Sequence, residues 1–316
     1  MPTRGGSIRL FRLAGITVYL HWMWFLAAVY SITYRTHVYS SLIWNVLEYL
    51  SLFAIVLTHE FGHQLACRQV GGKTHDIVLW LLGGVAYVSP PQRPGAQLWS
   101  IAAGPLVNVI LIPIFAALVS VSGHLGWYDT HPDAYELIHN VWKMNIGLLI
   151  FNMLPVYPLD GGQILRSLLW FPFGRANSLL AASIIGFVGL ALLLLLIALA
   201  VLLGANTGAA GWLVLIAVFI ALNCWGGLRQ AMALARIARL PRRDGFACPA
   251  CKAPPPLGPI WHCGKCRQAF DIFETRGICP HCSTEYAAAS CHECGSLRPI
   301  PEWESYGQSP PPIVNG

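Results

Sequence analysis

The sequence predicts an all-α polytopic membrane protein of about six transmembrane helices, with a short β-hairpin or re-entrant loop among them and a small cysteine-rich domain at the C-terminus. Three observations carry that expectation. Hydrophobic residues make up 55% of the 316 positions and charged residues only 11%, with a mean hydropathy of +0.56. Soluble domains carry about 25% charged residues. No Asp, Glu, Lys or Arg occurs from Ala176 to Leu228, nor from Pro94 to Tyr128, and each gap can hold bilayer crossings of about 20 apolar residues. Eight of the ten cysteines lie after residue 247.

In chain order, the hydropathy gives spans near 17–34, 42–66, 97–122, 141–158, 178–203 and 211–228. The first reads as a retained helix, because no small-residue cleavage site follows Tyr19. Arg4, Arg9 and Arg12 precede it, Lys73 and Arg93 follow the second span, Arg166 and Arg175 the fourth, and a run of arginines from Arg229 to Arg243 the sixth. The opposite loops carry only Arg35 and Lys143. This asymmetry predicts a multi-pass protein of the cell (inner) membrane with both termini cytosolic, and it accounts for most of the net charge of +6 without nucleic acid as a partner. The boundaries expected are a membrane domain over 1–240, a polar cysteine-rich domain over 246–296 and a disordered tail over 303–316.

Within the second span, His59-Glu60-Phe61-Gly62-His63 closes an apolar run. On a helix, residues four apart share a face, so His59 and His63 can reach one zinc while Glu60 stands beside a metal-bound water as general base. Ionisable residues at membrane depth are costly and usually functional. Two histidines leave a catalytic zinc one protein ligand short. Asp160 is the candidate, because spans two and four run in the same direction and end at the same level. Pro155 and Pro158 break the helix before it, and Gly161-Gly162 permits a sharp turn.

These residues resemble the site-2 protease family of intramembrane zinc metalloproteases, in its bacterial and archaeal branch. The likeness rests on the His59 to His63 motif, on Asn152 to Gly162 with its Leu-Asp-Gly-Gly core, on Ala103-Gly104-Pro105-Leu106-Val107-Asn108, and on the opening Gly15 to Trp22. The resemblance implies a zinc held by His59, His63 and Asp160, Glu60 as general base, and regulated proteolysis of transmembrane substrates trimmed by an earlier cut. Asn152 is a further catalytic candidate, as an amide donor to an oxyanion, and Asn108 a candidate for holding substrate. A metal transporter or sensor is an alternative, as is a non-catalytic scaffold that binds helices. The first leaves Glu60 without a chemical task, and the second expects a missing ligand or base.

Ile77 to Val88 is apolar, too short to cross and interrupted by Gly83-Gly84. Two short β-rich pieces around a glycine pair predict a hairpin or re-entrant loop near the active site. Gly83, Gly84, Val85, Ala86 and Tyr87 are candidates to bind an unwound substrate by strand addition. Finally, Cys248/Cys251, Cys263/Cys266, Cys279/Cys282 and Cys291/Cys294 form four C-x2-C pairs, which suit two four-thiolate zinc sites in a reducing compartment. Sequential pairing is the simplest and an interleaved cross-brace is open. The stretch resembles a double zinc ribbon. The cofactors expected are one catalytic and two structural zinc ions. The partners are a transmembrane substrate, the lipid bilayer and a cytosolic partner of the ribbons. Cys67 and Cys224 read as small apolar residues.

Overall fold

The computed structural model describes residues 5–80, 83–157, 159–202 and 210–307. The chain forms two compact units, one of Met1–Leu168 with Ile184–Cys224, the other of Leu169–Ser183 with Trp225–Gly316.

The first unit opens with β1 (Ser7–Leu13) and β2 (Ile16–His21), then α1 (Met23–Tyr34) and α2 (Leu42–Gln69). Strands β3 (Lys73–Trp80) and β4 (Gly83–Ser89) follow, then α3 (Pro94–His124), the single turn α4 (Trp127–Thr130), α5 (Pro132–Asn152) and α6 (Asp160–Leu202). Helix α7 (Ala210–Ala238) comes next in the chain. Helix α6 is broken at Gly174, whose φ of 76° and ψ of 173° no helix contains.

The strands form one sheet in the order β1-β2-β3-β4, with β1/β2 and β3/β4 antiparallel and β2/β3 parallel. The expected hairpin over 77–88 is therefore present, as half of a larger sheet. Along β2, burial alternates, so Ile16, Val18 and Leu20 face inward with Ile77 and Leu79 and pack on Tyr49 and Val56 of α2. Period-2 patterning of this kind is what a half-buried strand requires. Strands β1 and β4 are the edges of this sheet.

This arrangement corrects the first expected span. Residues 17–34 do not make one helix: Ala14 and Gly15 turn the chain with φ of 49° and 78°, and Ile16–His21 pairs on both sides as a strand. The apolar, β-branched run reads identically by hydropathy in either state. Helix α1 has 12 residues, about 18 Å at 1.5 Å per residue, short of the roughly 30 Å hydrocarbon core. Among the described residues, three helical segments are long and apolar enough to cross a membrane: Leu42–Gln69, Pro94–His124 and Asp160–Leu192. Helix α5 has the length, at 21 residues, but carries Glu136, His139, Asn140, Lys143 and Asn145.

Helices α2 and α3 approach closely because Gly62 has no side chain. A Cβ there would lie 2.7 Å from the Ala103 carbonyl oxygen. Small residues at such crossings let backbones meet in an apolar solvent.

In the second unit, short ribbons β5/β6 (Trp261–His262, Ala269–Phe270) and β7/β8 (Ala288–Ser290, Leu297–Pro299) precede α8 (Ile300–Gly307). Phe270, Ile272, Phe273, Trp261, Ile300 and Trp303 form its core with four buried cysteines. The expectation of a disordered tail from residue 303 is thereby corrected for 303–307: Trp303 is 1% exposed, packs edge-on against Phe273 and accepts a hydrogen bond from the Ala247 amide at its carbonyl. A domain with so little apolar surface recruits an aromatic from the segment that follows it. Residues 308–316 lie outside the described residues. Asp271 is the polar hub of this unit. It pairs with Arg243 at 2.6 Å and accepts from the amides of Gly258, Phe273 and Glu274.

Candidate metal centres

Helix α2 presents His59 and His63 one turn apart, and the first residue of α6, Asp160, meets them. Gly161 and Gly162 make that meeting possible. A Cβ on Gly161 would lie 2.4 Å from the Met153 carbonyl oxygen, and one on Gly162 2.5 Å from the Tyr157 nitrogen, so the chain before Asp160 folds back flat against the helix it starts. The two Nε2 atoms are 3.1 Å apart, and Asp160 Oδ2 lies 3.0 Å from that of His59 and 3.4 Å from that of His63. Ligands about 2.1 Å from a tetrahedral zinc are separated by about 3.4 Å. The donor set, N, N and O, and its spacing therefore fit one zinc with a fourth position left for water or substrate.

The tautomers are fixed from behind. His63 Nδ1 lies 3.0 Å from the Ser100 carbonyl oxygen, which can only accept, so Nδ1 carries the proton and the Nε2 lone pair faces the centre. His59 Nδ1 lies 2.6 Å from Asn108 Oδ1. The orientation of that amide is itself set. Asn145 Nδ2 donates to the Asn108 carbonyl at 3.0 Å, so Asn145 Oδ1 accepts from Asn108 Nδ2 at 2.8 Å and Asn108 Oδ1 is left for His59. Both asparagines are fully buried. Asn108, a candidate for holding substrate, is thus placed behind His59.

Glu60 is buried beside this group, within coulombic reach of His59, His63 and Asp160, and the Ala86 amide of β4 faces its carboxylate. A Cβ on Gly84 would lie 2.4 Å from Glu60 Cγ and 2.5 Å from Oε1, so β4 can pass this close only through a glycine. On the other side, a Cβ on Gly104 of α3 would lie 2.3 Å from His63 Nε2 and 2.8 Å from His59 Nε2. The face where the ligand atoms converge is therefore bare backbone. Gly83, Val85, Ala86 and Tyr87 continue the edge strand β4. Asn152 is the last residue of α5, half-buried, and makes no hydrogen bond to the three ligands.

Ser100, Gly104 and Asn145 were not expected as site residues from sequence. Gly104 stands inside a motif used for the family resemblance, and Asn145 is a third polar amide in an apolar stretch, a signal that could have singled it out. Ser100 contributes only a backbone carbonyl, which leaves no mark in a sequence.

The second unit holds two cysteine sets. Cys248, Cys251, Cys291 and Cys294 converge, as do Cys263, Cys266, Cys279 and Cys282. The pairing is nested, first pair with fourth and second with third, so it is neither the sequential arrangement nor the cross-brace. Sulfur separations across pairs are 3.8 and 3.6 Å in the outer set, 3.5 and 3.7 Å in the inner. Tetrahedral zinc–sulfur bonds of about 2.3 Å place sulfurs about 3.8 Å apart, so both sets fit one closed zinc site each.

The four knuckles repeat one geometry. The first cysteine's amide donates to the residue five on, as in Cys248 to Ala253 and Cys291 to Ser296, both at 2.9 Å. The residue after the second cysteine has positive φ in each case: Lys252, Arg267, Ser283 and Gly295. Hydroxyls reach the sulfurs, with Tyr286 donating to Cys263 at 3.1 Å and Thr284 and Ser296 at 3.2 and 3.0 Å from Cys282 and Cys294. The Cys266 amide and the Tyr286 hydroxyl donate toward the Cys263 sulfur and lower its pKa. Cys67 and Cys224 are fully buried and stand apart from these sets, as small apolar residues do.

Nesting makes a specific expectation. Replacing Cys248 and Cys251 by Ser should remove one zinc per chain and free the Cys291 knuckle as well, because both ends of the domain share that ion. Limited proteolysis should then cut around 246–260 and 288–303 while the membrane unit stays intact. Unchanged resistance of both segments after loss of the zinc would contradict a metal-held fold.

Against known proteins, the model of "Peptidase family M50" matches residues 48–144 and 131–196. A zinc metalloprotease of Methanocaldococcus jannaschii is 35% identical over 192 residues, 60% of this chain and 53% of that protein. Stage IV sporulation protein FB of Bacillus subtilis is 32% identical over 134 residues, 41% of this chain and 43% of that protein. This chain thus spans about half the length of these two curated relatives. Among solved structures, the site-2 protease from Methanocaldococcus jannaschii aligns with a TM-score of 0.51 and 28% identity, covering 70% of this chain and 95% of that one.

Proposed function

We propose, from the match of residues 48–196 to the model of peptidase family M50, that the chain is an intramembrane zinc endopeptidase. Its substrates would be membrane proteins, hydrolysed in or near a transmembrane segment as a step of regulated proteolysis. The observation that carries the reading is the convergence of His59 Nε2, His63 Nε2 and Asp160 Oδ2 beside a buried Glu60.

A zinc ion held by His59, His63 and Asp160 would supply Lewis acidity and a water of lowered pKa at neutral pH. The residues do the rest. His59, His63 and Asp160 hold the metal, and Ser100 and Asn108 keep both imidazoles turned toward it. Glu60 accepts the proton of the attacking water and passes it to the leaving amine nitrogen. Asn152, eight residues ahead of Asp160, is the candidate donor to the oxyanion. The closed cysteine sets leave no open position for substrate, so two further zinc ions are structural and the domain they hold is a surface for a cytosolic partner.

The same arrangement supports a membrane path. Strand β2 pairs with β3, which emerges from the C-terminal end of α2, whereas α1 leads back to the N-terminal end of α2. Residues 16–41 thus run along the height of α2, and the first crossing would be shared between β2 and α1. On this reading α2, α3, α5 and the apolar runs 178–203 and 211–228 would complete six crossings of the inner membrane, with both termini cytosolic.

Substrate would add to β4. A membrane helix must unwind before its backbone can be cut, and each freed amide or carbonyl costs several kcal/mol if left unpaired in a nonpolar setting. An edge strand beside Glu60 offers partners for those groups. Substituting Pro singly at Val85, Ala86 and Tyr87 should lower turnover about tenfold in at least one case without changing zinc content. Normal cleavage by all three would make β4 a cover over the centre and nothing more. For the endopeptidase reading itself, a co-expressed single-span protein should be shortened when the chain is present. A full-length band at equal expression would overturn it.

A further inference from the structure

The second unit carries a half-open cavity of about 350 Å³ where α6 breaks and α7 ends, walled in part by Phe173, Gly174, Arg175, Arg239, His292 and Glu293. Its charges do not cancel. Glu293 is ion-paired with Arg242 at 2.8 Å and also lies within coulombic reach of Arg175, so one carboxylate is shared between these two arginines and Arg239 adds a further positive charge. Arg175 gives one Nη1 hydrogen bond to the His292 carbonyl at 3.0 Å. Its Nε is shielded from solvent with no hydrogen-bond partner, and so is His292 Nδ1. Arg239 is exposed and forms no ion pair among the described residues. Two guanidinium groups and unsatisfied nitrogens around one cavity call for an oxygen-rich anion, and phosphate is what guanidinium geometry suits best.

The surroundings select the source of that phosphate. Phe173 on the wall and Phe171 two residues before it are 59% and 61% exposed, apolar surface that a freely soluble anion would not need. Trp170 lies under Arg175 at 5.9 Å and Trp225 under Arg229 at 5.3 Å, and tryptophans paired with cations mark headgroup depth on membrane helices. Basic pockets between helix ends on the cytosolic side suit anionic lipid headgroups.

We propose that this cavity binds the headgroup of one anionic phospholipid, its phosphate between Arg175 and Arg239 and its acyl chains against Phe171 and Phe173. Because His292 belongs to the last cysteine knuckle, such a lipid would tie the zinc-held domain to the bilayer surface. The full chain in phosphatidylcholine nanodiscs, titrated with phosphatidylglycerol and read by tryptophan fluorescence and by bound lipid per chain, tests this. One saturable phosphatidylglycerol per chain is expected, about tenfold weaker in Arg175→Gln and in Arg239→Gln and unchanged in Arg9→Gln/Arg12→Gln. Arg239 makes no contact that folding requires, so its variant remains informative if Arg175→Gln misfolds. Binding of equal strength in Arg239→Gln would overturn the proposal. So would inorganic phosphate competing at concentrations that show a soluble anion to be preferred.

Discussion

Glu60→Gln is expected to abolish measurable cleavage, a loss of roughly 10²- to 10⁴-fold if the residue's task is proton transfer alone, with zinc content unchanged. Gln matches Glu in size, so the close passage of Gly84 is undisturbed. The amide cannot take a proton from water, and Glu60 is not one of the converging ligands. The combination matters more than the loss. A variant that lost activity together with metal would place Glu60 among the structural supports of the site. One that cleaved near the wild-type rate would remove it from the mechanism.

His59→Ala, His63→Ala and Asp160→Ala should each lose both metal and activity. Three ligand atoms within 4.8 Å of one another leave no redundancy, because a zinc with two protein ligands is bound far more weakly than one with three. Metal analysis should give about three zinc per wild-type chain and two in each variant, the remaining two residing in the cysteine sets. Since the three act as a unit, combining two of these changes should cost scarcely more than either alone. A ratio that stays at three in any of them would rule that residue out as a ligand.

How far the sequence could be read depended on whether the decisive contact was local. His59 and His63 are legible because four residues on a helix is a fixed geometry, and the four cysteine knuckles because each closes within a few residues. Asp160, 101 residues from His59, was reachable only through topology, from the level at which two spans end. Where a choice rested on tertiary structure alone, it escaped. The nested pairing of Cys248 with Cys294 depends on how the ribbon folds, and no spacing encodes it. The strand at Ile16–His21 depends on partners at 77–79 and 7–13, and its apolar run reads equally well as the start of a helix. Trp303 follows a polar stretch and looked dispensable, whereas the small core behind it needed an aromatic. The support behind the histidines divides the same way: Asn108 carried a motif, Asn145 only an unusual polarity, and the Ser100 carbonyl nothing at all.

One measurement bears most directly on the proposed function of the His59, His63 and Asp160 centre: the cut position in a single-span protein incubated with the purified chain in liposomes, read by mass spectrometry of the fragments. Fragments ending within or at the edge of the transmembrane segment are expected, formed by the wild type and absent with Glu60→Gln at equal zinc content. Fragments ending only in the flanking soluble segments, or the same fragments from Glu60→Gln, would contradict it.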